Sequence, residues 1–194
     1  SHPGQPQSRF LKNGGADVDY RFTNMGTGGV SWQVSYASPT AGDIDNDGDL
    51  DLFFTAVYPG DLPRLYRNDG NFAFTNVTSL WGLSGLGRSY QAAFVDYDND
   101  GRMDLIHDGQ LYRNTVNNNR LWLKVVLDGN GLFDVSAIGA QVRINLGNGR
   151  TITRQVEGGV GEGNQNDVSS LHFGLDMQTS PVAVQVRWPN GAEQ

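Results

Sequence analysis

The nine-residue string Asp43-Ile44-Asp45-Asn46-Asp47-Gly48-Asp49-Leu50-Asp51 returns 53 residues later as Asp96-Tyr97-Asp98-Asn99-Asp100-Gly101-Arg102-Met103-Asp104. Both copies read D-x-D-N-D-G-x-x-D. Aspartate, asparagine and glycine are ordinary turn residues, so a single copy has a plain reading as a solvated acidic turn. Two copies in matching register, each flanked by apolar runs, ask for more. Four carboxylates within a few ångströms repel one another strongly unless a cation lies among them. Calcium fits the spacing because it takes six to eight hard oxygen ligands at about 2.3–2.6 Å. Carboxylates at the first, third and fifth positions converge when the chain wraps one ion, and the glycine that follows permits the sharp turn. The seventh position can offer its backbone carbonyl, which explains why it is Asp49 in one loop and Arg102 in the other. The ninth supplies a closing carboxylate. The candidate metal ligands are therefore Asp43, Asp45, Asp47, Asp49 and Asp51 in the first loop, and Asp96, Asp98, Asp100, Arg102 and Asp104 in the second, for two Ca2+ per chain. Magnesium is the weaker candidate, because it prefers six ligands and retains waters. The loops are not EF-hands. Those need a bidentate glutamate at position twelve, between helices, whereas that position here is Phe54 or His107, next to strand-like Leu52-Phe53-Phe54 and Ala92-Ala93-Phe94-Val95.

The loops belong to a larger repeat. Phe10-Leu11-Lys12-Asn13-Gly14-Gly15 recurs as Leu65-Tyr66-Arg67-Asn68-Asp69-Gly70 and again as Leu111-Tyr112-Arg113-Asn114, and Phe22-Thr23-Asn24 recurs as Phe74-Thr75-Asn76. A β-rich unit of about 50 residues suits one propeller blade. The helical solenoid alternative fails because no segment carries a 3.6-residue apolar period. Glycine, at 26 of 194 residues, points the same way, towards a turn-dense all-β chain.

After Asn119 the texture changes. Leu121, Leu123, Val125 and Leu127 alternate with other residues, as do Val142, Ile144 and Leu146, and Val182, Val184, Val186 and Trp188. Period-two alternation marks strands with one buried face, and Gly147-Asn148-Gly149 between two such runs predicts a hairpin. The expected fold class is all-β: partial β-propeller-like calcium-binding blades followed by a small antiparallel β-sandwich domain. The expected boundaries are an extended polar arm over 1–7, the repeats over 8–118 and the β-domain over 119–194.

With their Leu-Tyr-Arg-Asn and Phe-Thr-Asn pieces, the loops resemble FG-GAP/VCBS repeats of the integrin-α-type propeller. The later region resembles the ASPIC/UnbV domain through Trp122-Leu123-Lys124-Val125, Ala137-Ile138-Gly139-Ala140-Gln141-Val142, Gly158-Gly159-Val160-Gly161, Gln165-Asn166, Leu171-His172-Phe173-Gly174-Leu175 and Val186-Arg187-Trp188-Pro189-Asn190-Gly191. Together they make the arrangement of the cartilage acidic protein family and its bacterial relatives. The resemblance implies an exported, calcium-dressed propeller feeding a small β-domain, usually without an assigned reaction. It also implies about seven blades and a further strand after the Trp-Pro-Asn-Gly turn. Pieces of only three repeat units are present, as expected of a truncated copy, a fragment, or a subunit that completes its sheets with a neighbour.

A net charge of −7 makes nucleic acid and anionic membranes poor partners. Nine of the 21 acidic residues lie in the two loops, and two bound calcium ions would bring the formal charge to −3. No cysteine is available for disulfides or thiolate sites, and no apolar run approaches the length of a membrane span. Other candidate groups carry plain structural readings. His172 beside Phe173 reads as a hydrogen-bonded strand residue, and His107 lies near the second loop, although calcium disfavours nitrogen ligands. Ser169 and Ser170 lack a nucleophile elbow. Gly158-Gly159-Val160-Gly161-Glu162-Gly163 lacks the strand-to-helix setting of a phosphate loop. Asn76-Val77-Thr78 fits a glycosylation sequon. Trp32, Trp81, Trp122 and Trp188 read as core, with carbohydrate stacking as the alternative. The expected function is a non-enzymatic scaffold or adhesion protein, extracellular or at the cell surface. Its partners would be other extracellular proteins or its own copies, paired strand to strand into a ring or filament. The rivals are a propeller cyclase or lyase with structural or Lewis-acid calcium, and a glycan-binding module.

Overall fold

The repeat in the sequence is a repeat of strand pairing. In the computed structural model, which describes residues 9–129, 137–157 and 170–194, the first full unit is an antiparallel meander. It comprises β3 (Tyr36–Gly42), β4 (Asp51–Ala56), β5 (Arg64–Asn68) and β6 (Phe74–Asn76), hydrogen-bonded in that order. The second has three strands, β7 (Ala92–Val95), β8 (Asp104–His107) and β9 (Gln110–Tyr112). Tyr112 faces Leu105 as Tyr66 faces Leu52, and Leu111 faces Ile106 as Leu65 faces Phe53. Ahead of them, β1 (Leu11–Asn13) and β2 (Phe22–Asn24) form a hairpin in the register of β5 and β6: Lys12 faces Thr23 as Arg67 faces Thr75. A short 3-10 turn at Ala16–Val18 lies between β1 and β2, and no α-helix occurs among the described residues.

Each aspartate loop joins the first two strands of its blade, the first running from β3 to β4 and the second from β7 to β8. β3 packs beside β7. Between the two blades lies a core of Ile44, Phe53, Leu65, Val77, Leu86, Ala92, Phe94 and Leu105. Alternation sets this up: Phe53 is fully buried, whereas Leu52 and Phe54 lie on the other face of β4.

The remaining strands are β10 (Leu121–Val125), β11 (Gln141–Asn145), β12 (Thr151–Gln155), β13 (Leu171–Asp176) and β14 (Ala183–Arg187). β10 pairs with β13, while β11 is the centre of a sheet with β12 and β14 on its flanks. Val142, Ile144, Leu146, Ile152, Phe173 and Leu175 fill the space between the two sheets. The hairpin predicted at Gly147-Asn148-Gly149 joins β11 to β12. After Trp188 the chain turns back, and the N–H of Val186 and the carbonyl of Gln194 meet at 2.9 Å. The fold is thus all-β, with several small antiparallel sheets and, among the described residues, no closed barrel. The arm expected over 1–7, the Gly158–Gly163 connection, Gln165-Asn166 and Ser169 lie outside the described residues.

Candidate metal centres

Both loops are wound by the same hydrogen bonds. In the first, the N–H groups of Asp47 and Gly48 donate to the Asp43 carboxylate at 3.1 and 2.9 Å, and the N–H of Asp49 donates to Asp47 Oδ1 at 2.8 Å. In the second, Asp100 and Gly101 donate to Asp96 at 3.0 and 3.1 Å, and Arg102 donates to Asp100 Oδ1 at 3.0 Å. The winding requires two left-handed residues per loop: Asn46 at φ 60° and Gly48 at φ 90°, Asn99 at φ 57° and Gly101 at φ 81°. Asparagine and glycine tolerate that region best, which explains the shared Asn-Asp-Gly. The ninth residue ties each loop shut. Asp51 accepts the N–H of Ile44 at 2.9 Å and that of Asn68 at 2.7 Å. Asp104 accepts those of Tyr97 at 3.4 Å and Asn114 at 2.6 Å.

Among the described residues, two groups of carboxylates could hold a metal ion: Asp43, Asp45 and Asp47, and Asp96, Asp98 and Asp104, with one oxygen per residue and the oxygens of each group within 4.8 Å of one another. Oxygens bound to one calcium at 2.3–2.6 Å lie at most about 5 Å apart, so both groups suit a single ion. A further observation makes the first group a fitting site. Asp45 is only 8% exposed, and its Oδ1 is buried with no hydrogen-bond partner among the described residues. A buried carboxylate oxygen without a donor is costly, and a cation would satisfy it.

Several of the predicted side chains also form ion pairs with arginines. Asp49 pairs with Arg150 at 3.0 Å. Asp100 pairs with Arg102 and, at 3.1 Å, with Arg113, which also holds Asp98 at 2.7 Å. The Arg102 side chain also donates to the carbonyl of Asn114 at 2.9 Å. Arg120 lies 2.8 Å from Asp45 Oδ2 and 3.0 Å from Asp176. A cavity of about 620 Å³ runs between the blades and the C-terminal sheets, and Asp43, Asp96, Lys124, Arg154 and His172 all line it.

Burial acts on the first loop most. Burial, with the neighbouring Asp47 and Asp45 charges, pushes the Asp43 carboxyl up to about 7, Arg154 opposing. Burial pushes Asp51 up to about 8 against its two backbone donors. Asp47 and Asp104 are raised as well, again chiefly by burial. A carboxyl raised in the folded state stabilises that state in its protonated form. That contribution is complete below the unfolded value of about 4 and is lost as pH climbs through the folded values. The calcium-stripped chain is therefore expected to melt at a higher temperature at pH 5.5 than at pH 8.5, and calcium binding should release protons and tighten with rising pH. A melting temperature of the stripped chain that rises over this interval would contradict the reading.

Sequence reasoning missed the arginines and the cover over the loops. His172 Nε2 lies 2.7 Å from Asn46 Oδ1. Because Asn46 Nδ2 donates to the carbonyl of Gly101 at 2.8 Å, Oδ1 is the acceptor and the imidazole donates. Burial, then Arg154 and Lys124, lowers His172 to about 4, so the ring is neutral at physiological pH. His107 lies at the end of β8 away from the loop, buried edge-on against Phe53. Of the tryptophans read as core, Trp188 is buried at 7% exposure, but Trp32 and Trp122 are each 36% exposed. Trp122 covers a loop glycine instead. The repeated asparagine at the fourth loop position gave no signal of this cover, because its left-handed backbone, at φ 60° for Asn46 and 57° for Asn99, already accounts for it.

Comparison with known proteins agrees with this architecture. Residues 43–107 match the model of the FG-GAP-like repeat, and residues 134–194 match that of ASPIC and UnbV. The chain is similar to cartilage acidic protein 1 of Mus musculus, at 27% identity over 185 residues that cover 88% of this chain. It spans 28% of that relative's length.

Proposed function

We propose that this chain, an FG-GAP-like repeat followed by an ASPIC and UnbV domain, is an extracellular calcium-stabilised scaffold. It acts by binding proteins, its own copies among them, rather than by catalysis. The observation that carries the calcium assignment is the buried Asp45 Oδ1, without a hydrogen-bond partner among the described residues, within a group of three converging carboxylates. Asp43, Asp45 and Asp47 would hold one ion, and Asp96, Asp98 and Asp104 the other. Calcium is favoured over magnesium because the donors are protein oxygens in a chain-wrapped loop, whereas magnesium keeps most of its waters. The second group includes the exposed Asp98. An open carboxylate site of that kind suits the high calcium of the extracellular medium, where modules bind with Kd of about 0.1–1 mM. Metal analysis of protein purified without chelator and equilibrated in millimolar calcium should give two calcium ions per chain. Finding none would overturn the assignment.

The protein-binding part rests on an uncovered blade face. Phe53 and Leu65 are 0% and 1% exposed because the second blade packs on them, whereas Ile106 and Leu111, at the same register positions of that second blade, are 40% and 45% exposed. A face built to receive a blade is best filled by another blade of the same kind, here from a second copy. Meeting the same face of a second copy, it makes a closed two-fold dimer; meeting a different face, head to tail, it gives a ring where the rotation closes and a filament where it does not. Light scattering of the 194-residue chain in calcium should show a defined oligomer or fibre that Leu111→Asp returns to monomer. A folded, calcium-loaded monomer at micromolar concentration would refute self-association.

A further inference from the structure

The sheet of β10 and β13 lies across both loops in a repeated manner. On β13, the N–H of Gly174 donates to Asp43 Oδ2 at 3.1 Å, that of Asp176 donates to the carbonyl of Asn46 at 2.8 Å, and His172 donates to Asn46 Oδ1. A Cβ on Gly174 would stand 2.2 Å from that Asp43 oxygen and 2.5 Å from the Asn46 backbone, so the strand rests directly on the first loop. On β10, Lys124 Nζ donates to Asn99 Oδ1 at 2.8 Å, and the Trp122 indole lies over Gly101, where a Cβ would come within 1.9 Å of Nε1. Trp122 faces Gly174 across the sheet, and Lys124 faces His172. Each strand therefore applies a matching pair of residues, one to the loop backbone and one to the fourth-position asparagine. Asn46 Nδ2 also joins the loops to each other through the carbonyl of Gly101.

We propose that calcium in the loops fastens the C-terminal β-domain to the blades, with Asn46 and Asn99 as docking residues rather than ligands. This rests on the reading that the loops hold calcium. An ion fixes the loop winding, and that winding sets where the two asparagine side chains and the Asp43 carboxylate meet β13 and β10. Among the described residues the C-terminal domain brings no donor to the orphaned Asp45 Oδ1, because its Arg120 goes to Oδ2 and to the carbonyl of the same residue. The domain thus covers the first loop while leaving an oxygen for the cation. Linkage makes the effect reciprocal: if the ions favour docking, docking tightens the ions by the same factor, typically about 5–150-fold.

The test is calorimetric titration of the calcium-stripped full chain and its variants. His172→Phe keeps a ring against Trp122 but loses the bond to Asn46, and Lys124→Ala loses the bond to Asn99. Each is expected to weaken one of the two sites about tenfold and spare the other, with Lys124→Arg restoring the second. In the wild-type chain, calcium removal should speed amide exchange at Gly174 and Asp176 at least about tenfold while the β11–β12 amides hold, a readout that needs no variant. Variants that bind both ions with wild-type affinity, or exchange at Gly174 and Asp176 indifferent to calcium, would overturn the docking role and leave the calcium assignment standing. A wild-type chain that binds no calcium would overturn both.

Discussion

Stripping calcium from the folded chain is expected to lower its melting temperature by about 10–20 °C. An ion that binds only the native state stabilises it by RT ln(1 + [L]/Kd), about 2.7 kcal/mol at a hundredfold excess over Kd, so two sites contribute about 5 kcal/mol. For a chain of this length, 1 kcal/mol corresponds to about 2–4 °C. The two sites should not share the effect equally. The first loop is buried among the blades and the C-terminal sheets, with Asp43 at 2% exposure. Its carboxylates lack water to screen them, so a cation there relieves more repulsion than one beside the exposed Asp98. Asp45→Ala should accordingly remove more of the calcium dependence than Asp98→Ala. Scanning calorimetry in millimolar calcium and in excess chelator measures both differences. Superimposable melting curves in the two conditions would exclude a structural role for the ion.

The parts of this molecule legible in its sequence are those set by neighbours along the chain. Loop winding depends on residues at most five positions apart, as in the Gly48 N–H to Asp43 bond. Strand faces follow from alternation, and the β11–β12 hairpin from Gly147-Asn148-Gly149. Contacts between distant segments carried no such mark. Gly174 meets Asp43 across 131 positions, and Arg154 reaches the carbonyl of Gly48 across 106. An arginine in an alternating strand has the pattern of a solvent-facing residue whether or not a carboxylate loop lies opposite. Trp122 misled for a related reason. Its size suits a core, but the close approach of a glycine gave it a flat surface to cover while 36% exposed. The asparagine at the fourth loop position was interpretable only as a left-handed turn residue. Its side-chain partners on β13 and β10 give it a second reason to be asparagine rather than glycine.

Asp51→Ala is expected to be the most damaging aspartate substitution in the first loop, and to be damaging with or without calcium. Its role differs from that of the other carboxylates. At 0% exposure, its two oxygens accept the N–H of Ile44, at the start of the loop, and the N–H of Asn68, at the end of β5. The side chain thus joins the loop to the blade's third strand. Alanine leaves both donors buried without a partner, at about 1–3 kcal/mol each. Relief from burying a carboxyl offsets part of this, because in the metal-free chain burial already raises that group to about 8. A net loss of about 2–4 kcal/mol remains, or roughly 5–15 °C in melting temperature for a chain of this size. Asp45→Ala differs in kind. Its Oδ1 has no donor to abandon among the described residues, and Arg120, which loses Oδ2, keeps Asp176 and the backbone carbonyl of residue 45, so the variant should lose stability in calcium but stay within about 1 kcal/mol of wild type in chelator. Asp51→Asn should fall between, since an amide keeps one acceptor oxygen but turns its NH2 towards a backbone N–H. Paired denaturant titrations of the three variants, each with calcium and with chelator, separate the roles. If Asp51→Ala proved as mild as Asp45→Ala in chelator, the ninth residue would be a ligand alone and not the tie that closes the loop.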